Sequence, residues 1–414
     1  MWFTDRMQTP RGRRIAAVLL ASALLVAGCS GSGSDSGSPA TTSTADRPAT
    51  STPTEPSSED RFPGKDWDVE DPADHGIDVA ALEKASSYAF QEEAHTQGLV
   101  VVHRGAIVYE RYAPGSDKDS PAASWSMAKS ITSAVVGIAI EEGKIPGVDA
   151  PMTTWYPKWA DEGLGTVKLR DVLQMATGQR WNENYDPTQG PSDIINMVAT
   201  EKDQLAYAES RPPAVPPGTE FNYSSGVSML MSGILQQATG MRADEYAQQK
   251  LIEPIGMSKV KWWRDAAGHT LTYCCFDTTS RDFARIGLLY LHGGKWGDRQ
   301  VVPAQWVRDS LTPSPTSDGA YGYQWWLNDI DGVPDDAFFA QGFDGQWIYV
   351  VPSLDLIVVR NGTYVQNPGP PVADPNLFSV YPPSGFVEGK GTRPPEGDWD
   401  STQMLRLVVD AVRG

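Results

Sequence analysis

Two strand-like pairs lie at opposite ends of this chain, so any sheet it forms must be assembled from both. Residues 99–103 and 107–112 flank Arg104-Gly105-Ala106, which reads as a tight hairpin. Residues 347–351 and 356–360 form the second pair, joined through Pro352-Ser353. Between the pairs, from about 125 to 300, apolar residues recur mainly at helical spacing, broken by Pro- and Gly-rich loops. Helical periods also flank the pairs: Val79, Leu82, Ala85, Ala89 and Phe90 within 78–95, and Leu405, Val408 and Val412 within 402–412. The expected fold class is α+β, an antiparallel sheet made from both chain ends and flanked by helices, with an inserted mainly helical lobe at about 125–300. A cleft between sheet and lobe is the natural place for a site. No repeat of 20–50 residues is visible.

The 414 residues are 40% hydrophobic and 10% aromatic, enough to bury a sizeable core. The net charge of −18 argues against a nucleic-acid partner, which would demand clustered Lys and Arg. At the N-terminus, Arg11-Gly12-Arg13-Arg14 precedes an apolar run over 15–27. That run is shorter than the roughly 20 residues of a membrane span and fits a secretory segment. It ends Val26-Ala27-Gly28-Cys29, which resembles a bacterial lipobox. The resemblance implies cleavage after residue 28, lipidation of Cys29 and a membrane partner through that lipid anchor. The protein would then be exported and held on the outer face of the cell membrane. An ordinary signal peptide or an N-terminal membrane anchor are the alternatives. Residues 29–66 are rich in Ser, Thr, Pro and Gly and read as a flexible tether, leaving 67–414 for the folded domain. Cys274 and Cys275 are adjacent. They could close a vicinal disulfide, but two small buried thiols are the simpler expectation.

The chemistry concentrates at Ser124-Trp125-Ser126-Met127-Ala128-Lys129-Ser130. Ile131, Ala134, Val135 and Ile138 continue it at helical period. Ser126 therefore opens a buried helix, and Lys129 stands one turn along on the same face. A serine hydroxyl needs a base, and a lysine serves only when neutral. Burial and the positive end of the helix dipole both disfavour its charge. The same helix end offers N–H groups to a developing oxyanion. Downstream, Phe221-Asn222-Tyr223-Ser224-Ser225-Gly226 precedes another helical period, placing Tyr223 where it can shuttle a proton.

These residues resemble the serine β-lactamase and penicillin-binding protein superfamily, whose first element is Ser-x-x-Lys. The likeness is to class C-like members and the esterase and nylon-oligomer hydrolase branch, over roughly residues 75–365. Glu253-Pro254-Ile255-Gly256-Met257 and Arg281-Asp282-Phe283-Ala284-Arg285-Ile286-Gly287 add to it. The resemblance implies acylation of Ser126, Lys129 as base and Tyr223 as proton relay. The family's Tyr-x-Asn is Tyr223-Ser224-Ser225 here, so Ser225 replaces an amide with a hydroxyl. The third motif corresponds to Ala340-Gln341-Gly342-Phe343-Asp344-Gly345-Gln346, which lacks the usual cation. That departure counts against penicillin-type substrates, whose carboxylate the cation helps to hold. By the same resemblance, the Phe343 N–H after Gly342 completes an oxyanion hole with the Ser126 N–H, and Tyr185 contacts the scissile amide.

The expected activity is acyl transfer to water on a carboxylic ester or small amide, with a small-molecule substrate and no metal or organic cofactor. β-Lactamase or D-amino-acid peptidase activity, or a non-catalytic cell-wall-binding lipoprotein of the same fold, are the alternatives. A Ser-His-Asp triad is disfavoured because none of His75, His95, His103, His269 and His292 stands in a triad-like context. Oligomeric state is not legible.

Overall fold

The computed structural model describes residues 60–185, 190–363 and 399–414. The secretory segment, Cys29 and residues 30–59 of the tether lie outside the described residues.

The main sheet has six antiparallel strands: β1 (Thr96–His103), β2 (Ala106–Tyr112), β3 (Trp326–Leu327), β4 (Phe338–Gly342), β5 (Gln346–Val351) and β6 (Leu356–Gly362). Their order is β2-β1-β6-β5-β4-β3, so strands from opposite chain ends meet at the centre. Val358 of β6 lies opposite Val101 on one side and Tyr349 on the other. Both β1 and β6 are buried along their whole length. Hence Leu99–Val102 and Leu356–Val359 read as continuous apolar runs rich in β-branched residues, which favour a pleated, packed surface. The β1–β2 hairpin turns through Arg104 and Gly105, both at positive φ (51° and 74°), matching the right-handed twist of the strands.

Five longer helices complete the frame: α1 (Val79–Ala89), α2 (Met127–Glu141), α3 (Ser225–Thr239), α4 (Ser280–Leu291) and α5 (Ser401–Arg413). Asp78 caps α1 by accepting from the Ala81 N–H. Helices α1 and α5 pack together, and α4 lies on β1, β5 and β6. Helix α2 is buried without interruption from Met127 to Ala139, as its all-round apolar sequence requires. It runs between the sheet and the lobe that carries α3.

Two expectations need correction. Residues 60–66 belong to the folded part, not the tether. Arg61 pairs with Asp68 and Glu70, and the buried Arg285 guanidinium donates to the Gly64 and Lys65 carbonyls at 2.9 and 3.1 Å. Cys274 and Cys275 are joined as a vicinal disulfide rather than standing as two thiols.

Candidate active site

Ser126 caps the N-terminus of α2, yet its side chain makes no capping hydrogen bond. The hydroxyl is thereby left for other work. Trp125 just before it sits at φ 45°, an uncommon conformation for a bulky residue and one that concentrates at functional turns. One helical turn on, Lys129 Nζ lies 2.9 Å from Ser126 Oγ. The two groups face each other as the i, i+3 spacing predicts.

Lys129 is 1% exposed and touches two further acceptors, Ser225 Oγ at 3.1 Å and the Tyr273 carbonyl at 3.0 Å. Burial pushes its amine down to about 8, and the charge of Glu183 pulls the other way.

Glu183 is the residue that sequence reasoning passed over. Its carboxylate accepts from Tyr185 Oη (2.6 Å), Ser225 Oγ (2.5 Å), the Ser225 N–H (2.9 Å) and the indole N–H of Trp181. The only available signal was an acid set among aromatics and amides in a stretch without helical period. Its partner Ser225 is 42 positions away.

The direction of each hydrogen bond follows from chemistry. A carboxylate only accepts, so the Ser225 hydroxyl must give its proton to Glu183 and accept from Lys129. The Tyr273 carbonyl also only accepts. A neutral amine has two N–H donors, and these two partners take both. In that neutral form the direction left for the lone pair is the one toward Ser126 Oγ, 2.9 Å away.

Tyr223 lies under this group, 2% exposed, with Lys129 Nζ 5.0 Å from its ring centre. Its ring stacks on Trp326 at 5.6 Å. Burial and Glu183 hold its phenol well above the ordinary value, while the Ser126 hydroxyl lowers it. It therefore stays protonated and suits the role of proton donor.

The other expected site residues converge only in part. Tyr185, expected to contact the scissile amide, stands beside the site and donates its phenol proton to Glu183. Ser225, expected to face the substrate, accepts from Lys129 Nζ and donates to Glu183 through its hydroxyl. The turn after β4 packs against Ser124 and Trp125, the two residues before Ser126. A Cβ on Gly342 would stand 2.3 Å from the Ser124 carbonyl, so only glycine permits this approach. The Phe343 ring meets Trp125 edge-on at 5.8 Å and Tyr185 at 5.0 Å. Asp344 in that turn has φ 56°. Arg360 braces the turn from behind, donating to the Asp344 and Gly345 carbonyls at 3.0 and 2.7 Å.

Histidines make their contacts elsewhere: His75 with Glu70 and His103, His269 with Asp203, His292 with Asp60. Among the described residues, no group of three or more His, Cys, Asp or Glu is placed to hold a metal ion.

Comparison with known proteins places the chain by family and fold. A family model described as Beta-lactamase matches residues 82–378. The 6-aminohexanoate-dimer hydrolase of Paenarthrobacter ureafaciens is 26% identical over 301 residues, spanning 65% of this chain and 73% of that protein. Among solved structures, EstCE1, a hydrolase with promiscuous acyltransferase activity, superposes with a TM-score of 0.60 at 14% identity, over 83% of this chain and 100% of that one. The octameric penicillin-binding protein homologue from Pyrococcus abyssi gives 0.54 at 17% identity, over 69% and 73% of the two chains. These two likenesses show the fold.

Proposed function

The chain belongs to the Beta-lactamase family and is a serine-type hydrolase, and from that premise we propose that it cleaves neutral carboxylic esters or small amides through an acyl-enzyme on Ser126. The observation that carries the reading is the polarity of the Lys129 network. Tyr273 and Ser225 consume both N–H donors of the neutral amine, so its lone pair accepts the Ser126 proton. The attacking oxygen forms a bond to the substrate carbonyl carbon. The resulting oxyanion is held by the N–H groups of Ser126 and Phe343. Tyr223 passes the proton from Lys129 to the leaving oxygen or nitrogen as that bond breaks. Water then repeats the sequence on the acyl-enzyme, and Ser126 regains its proton.

Substrate charge follows from the turn after β4. Residues 340–346 contain Asp344 and no Lys, Arg or His. Arg360 lies behind the turn and is 1% exposed, its donors spent on backbone carbonyls and Thr96. A carboxylate beside the scissile bond thus lacks the partner that cell-wall-type substrates use. A panel of short-chain esters, linear amides and penicillins tests this reading by kcat/KM. Neutral esters are expected to exceed penicillins on the order of 10- to 100-fold, the value of one lost charged hydrogen bond. Penicillins turned over faster than every ester would overturn it. Export and a lipid anchor at Cys29 complete the proposal, supported by the pattern of residues 11–29.

A further inference from the structure

The vicinal disulfide sits inside the segment that grips both sides of the nucleophile. On one flank, the Tyr273 carbonyl accepts from Lys129 Nζ at 3.0 Å. On the other, the Phe276 N–H donates to Ser124 Oγ at 2.9 Å. Ser124 and Lys129 bracket Ser126 in the sequence. Just upstream, Thr132 of α2 donates to the Thr272 carbonyl at 2.8 Å. Trp262 Nε1 holds the Cys274 carbonyl at 3.2 Å. Cys274 and Cys275, the two residues between these anchors, are thus the hinge on which their spacing depends.

Cys275 has φ 69°, a left-handed conformation that residues with a Cβ disfavour. A bond between adjacent cysteines closes a small ring that contains their shared peptide. Rotation about the bonds inside that ring is then suppressed. Opening it would let Cys275 relax toward negative φ, and the Tyr273 carbonyl and Phe276 N–H would move relative to each other.

We infer that the Cys274–Cys275 disulfide is a positioning element of the active site, fixing the carbonyl that orients Lys129 and the N–H that fixes Ser124. It rests on the reading of Lys129 as the base. A dithiol such as dithiothreitol would open the bond by thiolate attack on one sulfur. Two electrons and two protons pass to the enzyme, which gains two thiols while the reagent closes its own disulfide. Both cysteines are buried, so reduction is to be verified by the mass gain of two hydrogens and by alkylation.

The experiment compares kcat and KM of oxidised, reduced and reoxidised wild-type protein on a neutral ester. It adds a Cys274→Ser/Cys275→Ser variant checked by thermal unfolding. Reduction should lower kcat on the order of 10- to 100-fold, the usual consequence of a small misplacement of catalytic groups. KM should stay close to its oxidised value, and reoxidation should restore the rate. The double variant should sit at the reduced level and ignore dithiothreitol. If that variant does not fold, Cys274→Ser/Cys275→Gly tolerates the left-handed conformation without the ring and should show the same loss. Full kcat in verified reduced enzyme, or in either folded variant, overturns the inference. Oxidised enzyme inert toward every ester would count against the proposed function instead.

Discussion

Replacing Lys129 with Ala is expected to lower kcat on neutral esters on the order of 10⁴-fold or more, as removal of the base does in other serine hydrolases. The loss follows from the hydrogen-bond directions around Nζ. Without the amine, no neighbouring group among the described residues is suited to accept the Ser126 proton: Tyr223 is held protonated by burial, and Ser225 gives its own proton to Glu183. The fold should survive, because the substitution removes a buried amine rather than stranding a charge. Two acceptors, Ser225 Oγ and the Tyr273 carbonyl, lose their donor, at about 1–3 kcal/mol for each buried group left unsatisfied. Lys129→Arg discriminates further. A guanidinium carries a permanent charge and does not shed a proton near neutrality, so this variant should be as inactive as Lys129→Ala. Turnover by Lys129→Arg within tenfold of wild type would mean that positive charge, not proton acceptance, is what the site needs. Steady-state kinetics alongside thermal unfolding reads both outcomes.

The second large effect is expected at Glu183. Four donors converge on its carboxylate. Glu183→Gln offers a single acceptor oxygen and introduces an N–H₂ among groups that already donate. Ser225 would lose the partner that fixes its proton and would turn that proton toward Lys129, occupying the lone pair. We expect kcat to fall about 100-fold, in line with catalytic groups held slightly out of place. The pH profile supplies an independent readout. Glu183 raises the Lys129 pKa, which burial has brought down to about 8. Losing that negative charge favours the neutral amine, so the ascending limb of kcat/KM should move below about 8. A drop in rate with an unmoved or raised limb would assign Glu183 a purely structural role.

The parts of this site that were legible in the sequence are those encoded locally. Ser126 and Lys129 are one helical turn apart, and an apolar period after them announces a buried helix. Arg104-Gly105 marks the hairpin because its turn demands positive φ at both positions. The apolar runs of β1 and β6 mark two strands of a sheet built from both chain ends, though not their place at its centre. What escaped is tertiary or carried by backbone. The contact between Glu183 and Ser225 spans 42 positions. The acceptor at Tyr273 is a carbonyl, which every residue type has. The adjacency of Cys274 and Cys275 is the same whether they are oxidised or reduced. Residues 60–66 share the Pro- and Gly-containing composition of the tether, but Arg285, more than 200 positions downstream, recruits them into the fold. The strands at Lys261–Trp262 and Trp326–Leu327 are too short for any period to register.

The central claim is that an uncharged Lys129 amine draws the proton from Ser126. Its most direct test is the rate of Ser126 labelling by a fluorophosphonate as a function of pH, with the modified peptide located by mass spectrometry. The account predicts a single adduct, on Ser126, forming faster as pH rises through about 8, where the buried amine loses its proton. Labelling on another residue, or on Ser126 at a rate that is flat across this range, would contradict it.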